Sequence, residues 1–119
     1  MNNRGFTLLE LLVTLTIVSI ITAIAVPQYR EYRQKGFDAR ASSDLRNVAI
    51  AQEAHFLEHE EYLTCSNESC VQLPGIASLS SGVTLNITAH EASFIGQSTH
   101  ERGSGRTFIW DSDQGGMQG

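Results

Sequence analysis

Hydrophobic positions follow three different patterns along this chain. From Phe6 to Val26 the apolar run is continuous, interrupted only by Glu10 and a few Thr and Ser. A run of that length can cross a bilayer as one helix. From Gln28 to about His59 the pattern changes. Phe37, Ala41, Leu45, Val48, Ala49 and Phe56 recur mostly at steps of three and four, the spacing of one helical face. Arg40, Asp44, Asn47 and Glu58 fall mainly off that stripe. Pro27 lies between the two stretches; it lacks an N–H and crowds the preceding turn, so it bends or loosens a helix there. If helical throughout, Phe6 to Tyr62 extends roughly 85 Å at 1.5 Å per residue. A small globule has no use for such a rod, so a core shared among several chains is expected.

Beyond the helix, "LTCSNESCVQLPGIASLSSG" is dense in turn residues and reads as a loop. Period-two alternation then appears. "VTLNITA" puts Val83, Leu85 and Ile87 on one face, "SFIGQST" is weaker with Gly96 as a candidate bulge, and "RTFIWDS" pairs Phe108 with Trp110. "ERGSGR" between the last two is a hairpin connection. The expected fold class is α+β: a long N-terminal helix, apolar then amphipathic, packed on a small antiparallel sheet of about three strands, with Phe108 and Trp110 in the core.

Length and charge narrow the function. At 119 residues the chain holds one domain at most, and the part outside the apolar run is a marginal core. The net charge of −5 carries no basic excess, so no nucleic-acid partner is indicated. Charges are unevenly placed: Arg30, Arg33, Lys35 and Arg40 follow the apolar run, while Glu53, Glu58, Glu60 and Glu61 gather later. Cys65 and Cys70 in "TCSNESC" are too far apart for a CxxC redox or zinc half-site. In an exported protein they form a disulfide closing a short loop, worth about 2 kcal/mol.

Glu10 poses the sharpest question. An ionisable group in a membrane segment costs about 2.5–3.5 kcal/mol on insertion scales, so its presence asks for a function. Other candidate chemistry is weaker. "HFLEH" at His55–His59 has the HxxEH form of inverted zinc metallopeptidases, but the acidic third ligand and its scaffold are missing, and two exposed helical histidines are the expected reading. "DSDQGG" places Asp111 and Asp113 at alternate positions, as calcium loops do. It lacks the closing glutamate, and a turn with Asp capping backbone amides is expected. "NES" and "NIT" match the Asn-x-Ser/Thr pattern by coincidence. No nucleophile–base pair or phosphate loop stands out, so no enzyme activity, cofactor or metal is expected.

"RGFTLLELL", the apolar stretch after it and "AVPQYREYR" together resemble the class III signal of type IV pilins and their type II secretion pseudopilin relatives. The resemblance covers about the first sixty residues. It implies a leader at residues 1–5, cleavage between Gly5 and Phe6 by a prepilin peptidase, and N-methylation of Phe6. Residues 6–27 would be the transmembrane and filament-core helix, and residues 28–119 the amphipathic helix and globular head. It further implies that Glu10 pairs with the terminal amine of a neighbouring subunit, so that Phe6, Glu10 and Pro27 serve subunit assembly. Where many members carry a mid-helix glycine this chain has Ser19. Arg4 alone precedes the run, which gives a positive-inside count opposite to the N-inside arrangement that pilins resemble. Phe6, Tyr29, Tyr32, Phe37, Phe56 and Tyr62 are spread along the helix as in pilins proposed to carry electrons; packing between subunits is the expected role.

The expectation is therefore a non-enzymatic structural subunit. It is held in the inner membrane as a single-pass precursor, then handed by the pilus assembly machinery to a homo-oligomeric surface filament. A pseudopilin or minor pilin is the nearest alternative. A single-pass anchored binding module using His55 and His59, and a soluble domain released after "AIA" at Ala23–Ala25, stay open as readings from other classes.

Overall fold

The computed structural model describes residues 5–119. In chain order it contains helix α1 (Leu8–His59), strand β1 (Cys65–Ser66), a 3-10 turn (Asn67–Gln72), strands β2 (Val83–Ala89), β3 (Phe94–His100) and β4 (Phe108–Asp111), a second 3-10 turn (Ser112–Gln114) and strand β5 (Gly116–Gln118). The strands form one sheet in the order β1-β2-β3-β4-β5, each antiparallel to its neighbour. The α+β expectation holds, and the three anticipated strands are its centre. The two added edge strands are two and three residues long, too short to show a period in the sequence. The chain divides into two compact units, Met1–Tyr32 and Arg33–Gly119.

In the first unit the helix is apolar on all sides, and its large side chains from Leu8 to Val26 are exposed. Its hydroxyls are satisfied locally. Thr14, Thr16, Ser19 and Thr22 each donate to the carbonyl four residues back, at 2.8, 2.8, 2.7 and 2.7 Å. Such back-bonding lets polar side chains sit in an apolar environment without an outside partner. Pro27 lies inside the helix, so the carbonyl of Ala23 receives no N–H from it.

In the second unit one face of α1 packs on the sheet. Ala41, Leu45, Val48 and Ala49 from the helix meet Leu85, Ile87, Phe94 and Phe108 from the strands. Burying each of the larger of these side chains is worth about 1.5–3 kcal/mol. Along β2 the alternation is as read, with Leu85 and Ile87 inward. Gly96 is not a bulge: it pairs in register with Ile87 on β2 and Trp110 on β4. Its role is close approach, because an added Cβ would stand 2.7 Å from both Ile87 Cδ1 and Leu45 Cδ1.

Polar side chains complete this interface. Asp44 is buried, not off the stripe as its type suggested; its carboxylate accepts from Ser80 N at 2.7 Å and Ser80 Oγ at 3.0 Å, which fastens the long loop onto the helix. Ser98 Oγ donates to the carbonyl of Ala41 at 2.8 Å and ties β3 to α1. Gln52, fully buried, pairs with both backbone groups of Leu63. The disulfide Cys65–Cys70 is formed. It closes the 3-10 turn against β1, and Asn67 Oδ1 within that loop accepts from Leu85 N at 2.9 Å.

Candidate functional site

The site singled out by the sequence, Gly5, Phe6 and Glu10, lies at the start of α1. Thr7 is the N-cap: its carbonyl accepts the first helical bond from Leu11 N at 3.1 Å. Its hydroxyl accepts from Glu10 N at 3.1 Å, and the Glu10 carboxylate accepts from Thr7 N at 3.3 Å. This is a reciprocal capping box, which satisfies two of the amide donors that every helix start leaves open. The carboxylate also lies at the positive end of the helix dipole. Glu10 is thus stabilised within its own chain before any partner arrives. Its second oxygen makes no bond among the described residues, so it keeps acceptor capacity for a cation.

Thr7 was missed in reading the sequence, although its signal was present: Thr-x-x-Glu directly before an apolar run is the capping-box pattern. Phe6 is 87% exposed and Gly5 lies beside it in a shallow recess with Thr7 and Glu10. A Cβ added at Gly5 would meet nothing within 4 Å. Among the described residues nothing therefore requires glycine there. The first four residues of the expected leader lie outside the described residues. Pro27 is well separated in sequence from this cluster, inside the same helix.

The remaining candidates resolve as ordinary structure. His55 and His59 pack with ring centroids 4.4 Å apart and planes tilted by 42°, His55 Nδ1 lies 2.9 Å from the carbonyl of Glu61, and His59 lies 3.9 Å from Glu58. Among the described residues no group of three or more His, Cys, Asp or Glu converges as a metal site would. Asp111 Oδ1 accepts from Asp113 N at 3.0 Å and caps the second 3-10 turn, the turn reading of "DSDQGG". Nearby, Tyr62 donates to Glu53 at 3.2–3.3 Å. Its pKa is raised by burial first, then by the charge and hydrogen bond of Glu53 and the charge of Asp113.

The helix face opposite the core carries Ile50, 62% exposed, and Leu57, 84% exposed. They are seven residues apart and so lie on one side of the helix.

The carboxylate of Glu10 is thus capped at the head of an apolar helix segment, and the second unit carries a disulfide-closed loop. The chain matches the family described as Prokaryotic N-terminal methylation motif over residues 1–26. It is 35% identical over 66 residues to the type IV major pilin protein PilA of Myxococcus xanthus, covering 56% of this chain and 30% of that protein. It is 35% identical over 69 residues to a fimbrial protein of Pseudomonas aeruginosa, covering 58% and 45%. With the type IV wide pilus major component PilA4 of Thermus thermophilus the identity is 29% over 91 residues, 76% of this chain and 68% of that one. The matches span less than half the length of the first two relatives. The methylation motif and the similarity to these pilins both fall on the N-terminal part of the chain.

Proposed function

We propose that this chain is the structural subunit of a type IV pilus, made as an inner-membrane precursor and polymerised into a surface filament through its N-terminal helix. The observation that carries the reading is the methylation motif at the head of an apolar segment of α1, Leu8 to Val26, whose large side chains are all exposed. In this reading residues 1–5 are the leader, residues 6–27 cross the membrane and later line the filament core, and residues 28–119 form the amphipathic helix and head. A prepilin peptidase cuts between Gly5 and Phe6, and Phe6 is N-methylated. The open surroundings of Gly5 fit a residue read by an enzyme and not by the fold.

Cleavage leaves the capping box whole, since both of its members, Thr7 and Glu10, lie after the cut. The carboxylate's spare acceptor positions then take the terminal amine of a neighbouring subunit. A charge buried in a filament core is tolerated only when paired, so this pairing fixes the axial register of the incoming subunit. Pro27 loosens the helix where the core segment ends. Exposed Ile50 and Leu57 supply apolar contact between subunits farther along.

The test is mass spectrometry of the N-terminal peptide from native-host filaments, with Glu10→Ala alongside. The expected peptide begins at N-methyl-Phe6, and the variant inserts into the membrane but yields few or no filaments. A mature chain beginning at Val26 would make the apolar run a discarded signal and overturn the reading. Normal filament yield from Glu10→Ala would remove the role given to the carboxylate.

A further inference from the structure

Many of the exposed charges of the second unit, Arg33–Gly119, gather at two opposite ends, with Arg46 on α1 between them. At one end Lys35 and Arg40 lie on α1, beside Arg102 and Arg106 of the β3–β4 hairpin, and all four are exposed. The hairpin is fastened there by Asp38, whose carboxylate accepts from Ser104 N at 3.1 Å and Ser104 Oγ at 2.6 Å. Arg40 lies over the ring of Phe37 at 5.4 Å and Arg106 over Phe108 at 4.9 Å, which limits the volume each guanidinium explores. Among the described residues no carboxylate lies within ion-pair distance of Lys35, Arg40, Arg102 or Arg106. Glu101 is the acidic residue in the hairpin itself.

The other end is acidic. Glu53, Glu58, Glu60 and Glu61 come from the last turns of α1 and the residues just after it, Glu91 from the β2–β3 turn, and Asp113 from the turn after β4. Glu60, Glu61, His90 and Glu91 line one shallow concavity. Histidines are the basic side chains named at this end, with His59 3.9 Å from Glu58. From Asp38 to Glu58 the helix rises roughly 30 Å at 1.5 Å per residue. That is nearly four Debye lengths at physiological salt, about 8 Å each, so the two ends do not neutralise each other within one copy.

We infer that these two ends are complementary docking surfaces for a second copy of this chain, the basic end of one copy against the acidic end of the next. The inference rests on the filament reading above and names the contact between its heads. In a helical filament all subunits share one orientation, so complementary ends meet as a heterologous contact, the kind that propagates instead of closing. Opposed charge selects this register and disfavours like ends meeting.

The experiment uses wild-type filaments sheared from cells and a zero-length carbodiimide, which joins an amine to a carboxylate it already touches. Lys35 is the single lysine of the chain, so the head offers one amine. The expected product is a ladder of covalent oligomers in which Lys35 is joined to Glu58, Glu60, Glu61 or Glu91. The distance along the helix rules out a link within one copy. In parallel, Arg40→Glu with Arg102→Glu, and separately Glu60→Lys with Glu61→Lys, should each lower filament yield about tenfold while processed, disulfide-bonded subunit still accumulates. Combining all four should restore most of the yield. Filaments whose Lys35 couples only to Glu31 or Glu101, together with no recovery in the combined variant, would overturn the inference while leaving the filament reading intact. A wild-type chain that forms no filaments and does not begin at N-methyl-Phe6 would remove both.

Discussion

Gln52 holds the backbone of Leu63 at both of its polar groups: Nε2 donates to Leu63 O at 2.6 Å and Leu63 N donates to Oε1 at 2.8 Å. The side chain substitutes for a strand partner at the point where the chain leaves α1 and turns toward β1. Gln52 is fully buried and Leu63 half-buried, so both bonds are partly shielded from water. Gln52→Leu keeps the volume and deletes both partners, leaving a buried N–H and C=O unsatisfied. Each such group costs about 1–3 kcal/mol, so the variant should lose about 2–6 kcal/mol in urea denaturation, nearer the low end because Leu63 is only half-buried. A loss below about 1 kcal/mol would mean that water reaches Leu63.

Gly96 sets how closely β3 approaches α1. Gly96→Ala forces Ile87 and Leu45 away from positions in which both are buried, and overpacking of this kind costs about 1–3 kcal/mol. The methyl group would be accommodated if one neighbour were shortened. Gly96→Ala combined with Ile87→Val should therefore be more stable than the sum of the two single changes. Strict additivity in that double-mutant cycle would show that the two residues do not compete for the same space.

What the sequence displayed follows from how each element is stabilised. The helix was legible because long runs of continuous, then amphipathic, apolarity have no other reading, and β2 because Val83, Leu85 and Ile87 alternate cleanly. Strand β3 was faint since its inward face is Phe94, Gly96, Ser98 and His100: a glycine for close approach, a serine bonded to the helix and a histidine stacked on Phe37 at 4.5 Å. None of these looks apolar in a sequence. Asp44 and Gln52 were obscure for the same reason, because each is buried only by virtue of partners distant in the chain. At the candidate site Glu10 was conspicuous by its cost in lipid. Thr7 was overlooked because a hydroxyl next to an apolar run draws no notice until the i, i+3 relation is checked.

Removing the disulfide by Cys65→Ala with Cys70→Ala should cost about 2 kcal/mol, the loop-closure entropy of so short a loop. The strands and helix contribute the rest of the core, so the head should stay folded, with amide exchange rising first in β1 and at Leu85, whose N–H is held by Asn67 in the closed loop. Global unfolding at room temperature would show that the loop contributes far more than its entropy.

Tyr62 predicts the behaviour at high pH. Its folded-state pKa is raised above the ordinary value of 10.0 by burial and by Glu53. Below pH 10 both folded and unfolded chains hold the phenolic proton, and this contribution to stability is fully present. As pH rises through the unfolded value the unfolded chain ionises first, and the contribution is lost progressively up to the folded pKa. In an absorbance titration Tyr62 should ionise above the ordinary tyrosine value. Tyr62→Phe should flatten the alkaline fall in stability. An unchanged slope in that variant would assign the fall to other groups.

The capping box at Thr7 and Glu10 separates two functions of one carboxylate. Thr7→Ala removes the acceptor for Glu10 N, and loss of such a cap costs about 1 kcal/mol, or about fivefold in the opening equilibrium of the first turn. In detergent-solubilised protein, amide exchange at Glu10 should quicken by that factor, and Thr7→Ser should restore the original rate. Glu10→Gln keeps a side-chain oxygen that can accept from Thr7 N but removes the charge. It should therefore leave first-turn exchange within about twofold of wild type while still reducing filament yield. That split would assign the cap to the subunit and the charge to assembly. Equal loss of cap and filaments in Glu10→Gln would show that the charge serves the helix start itself.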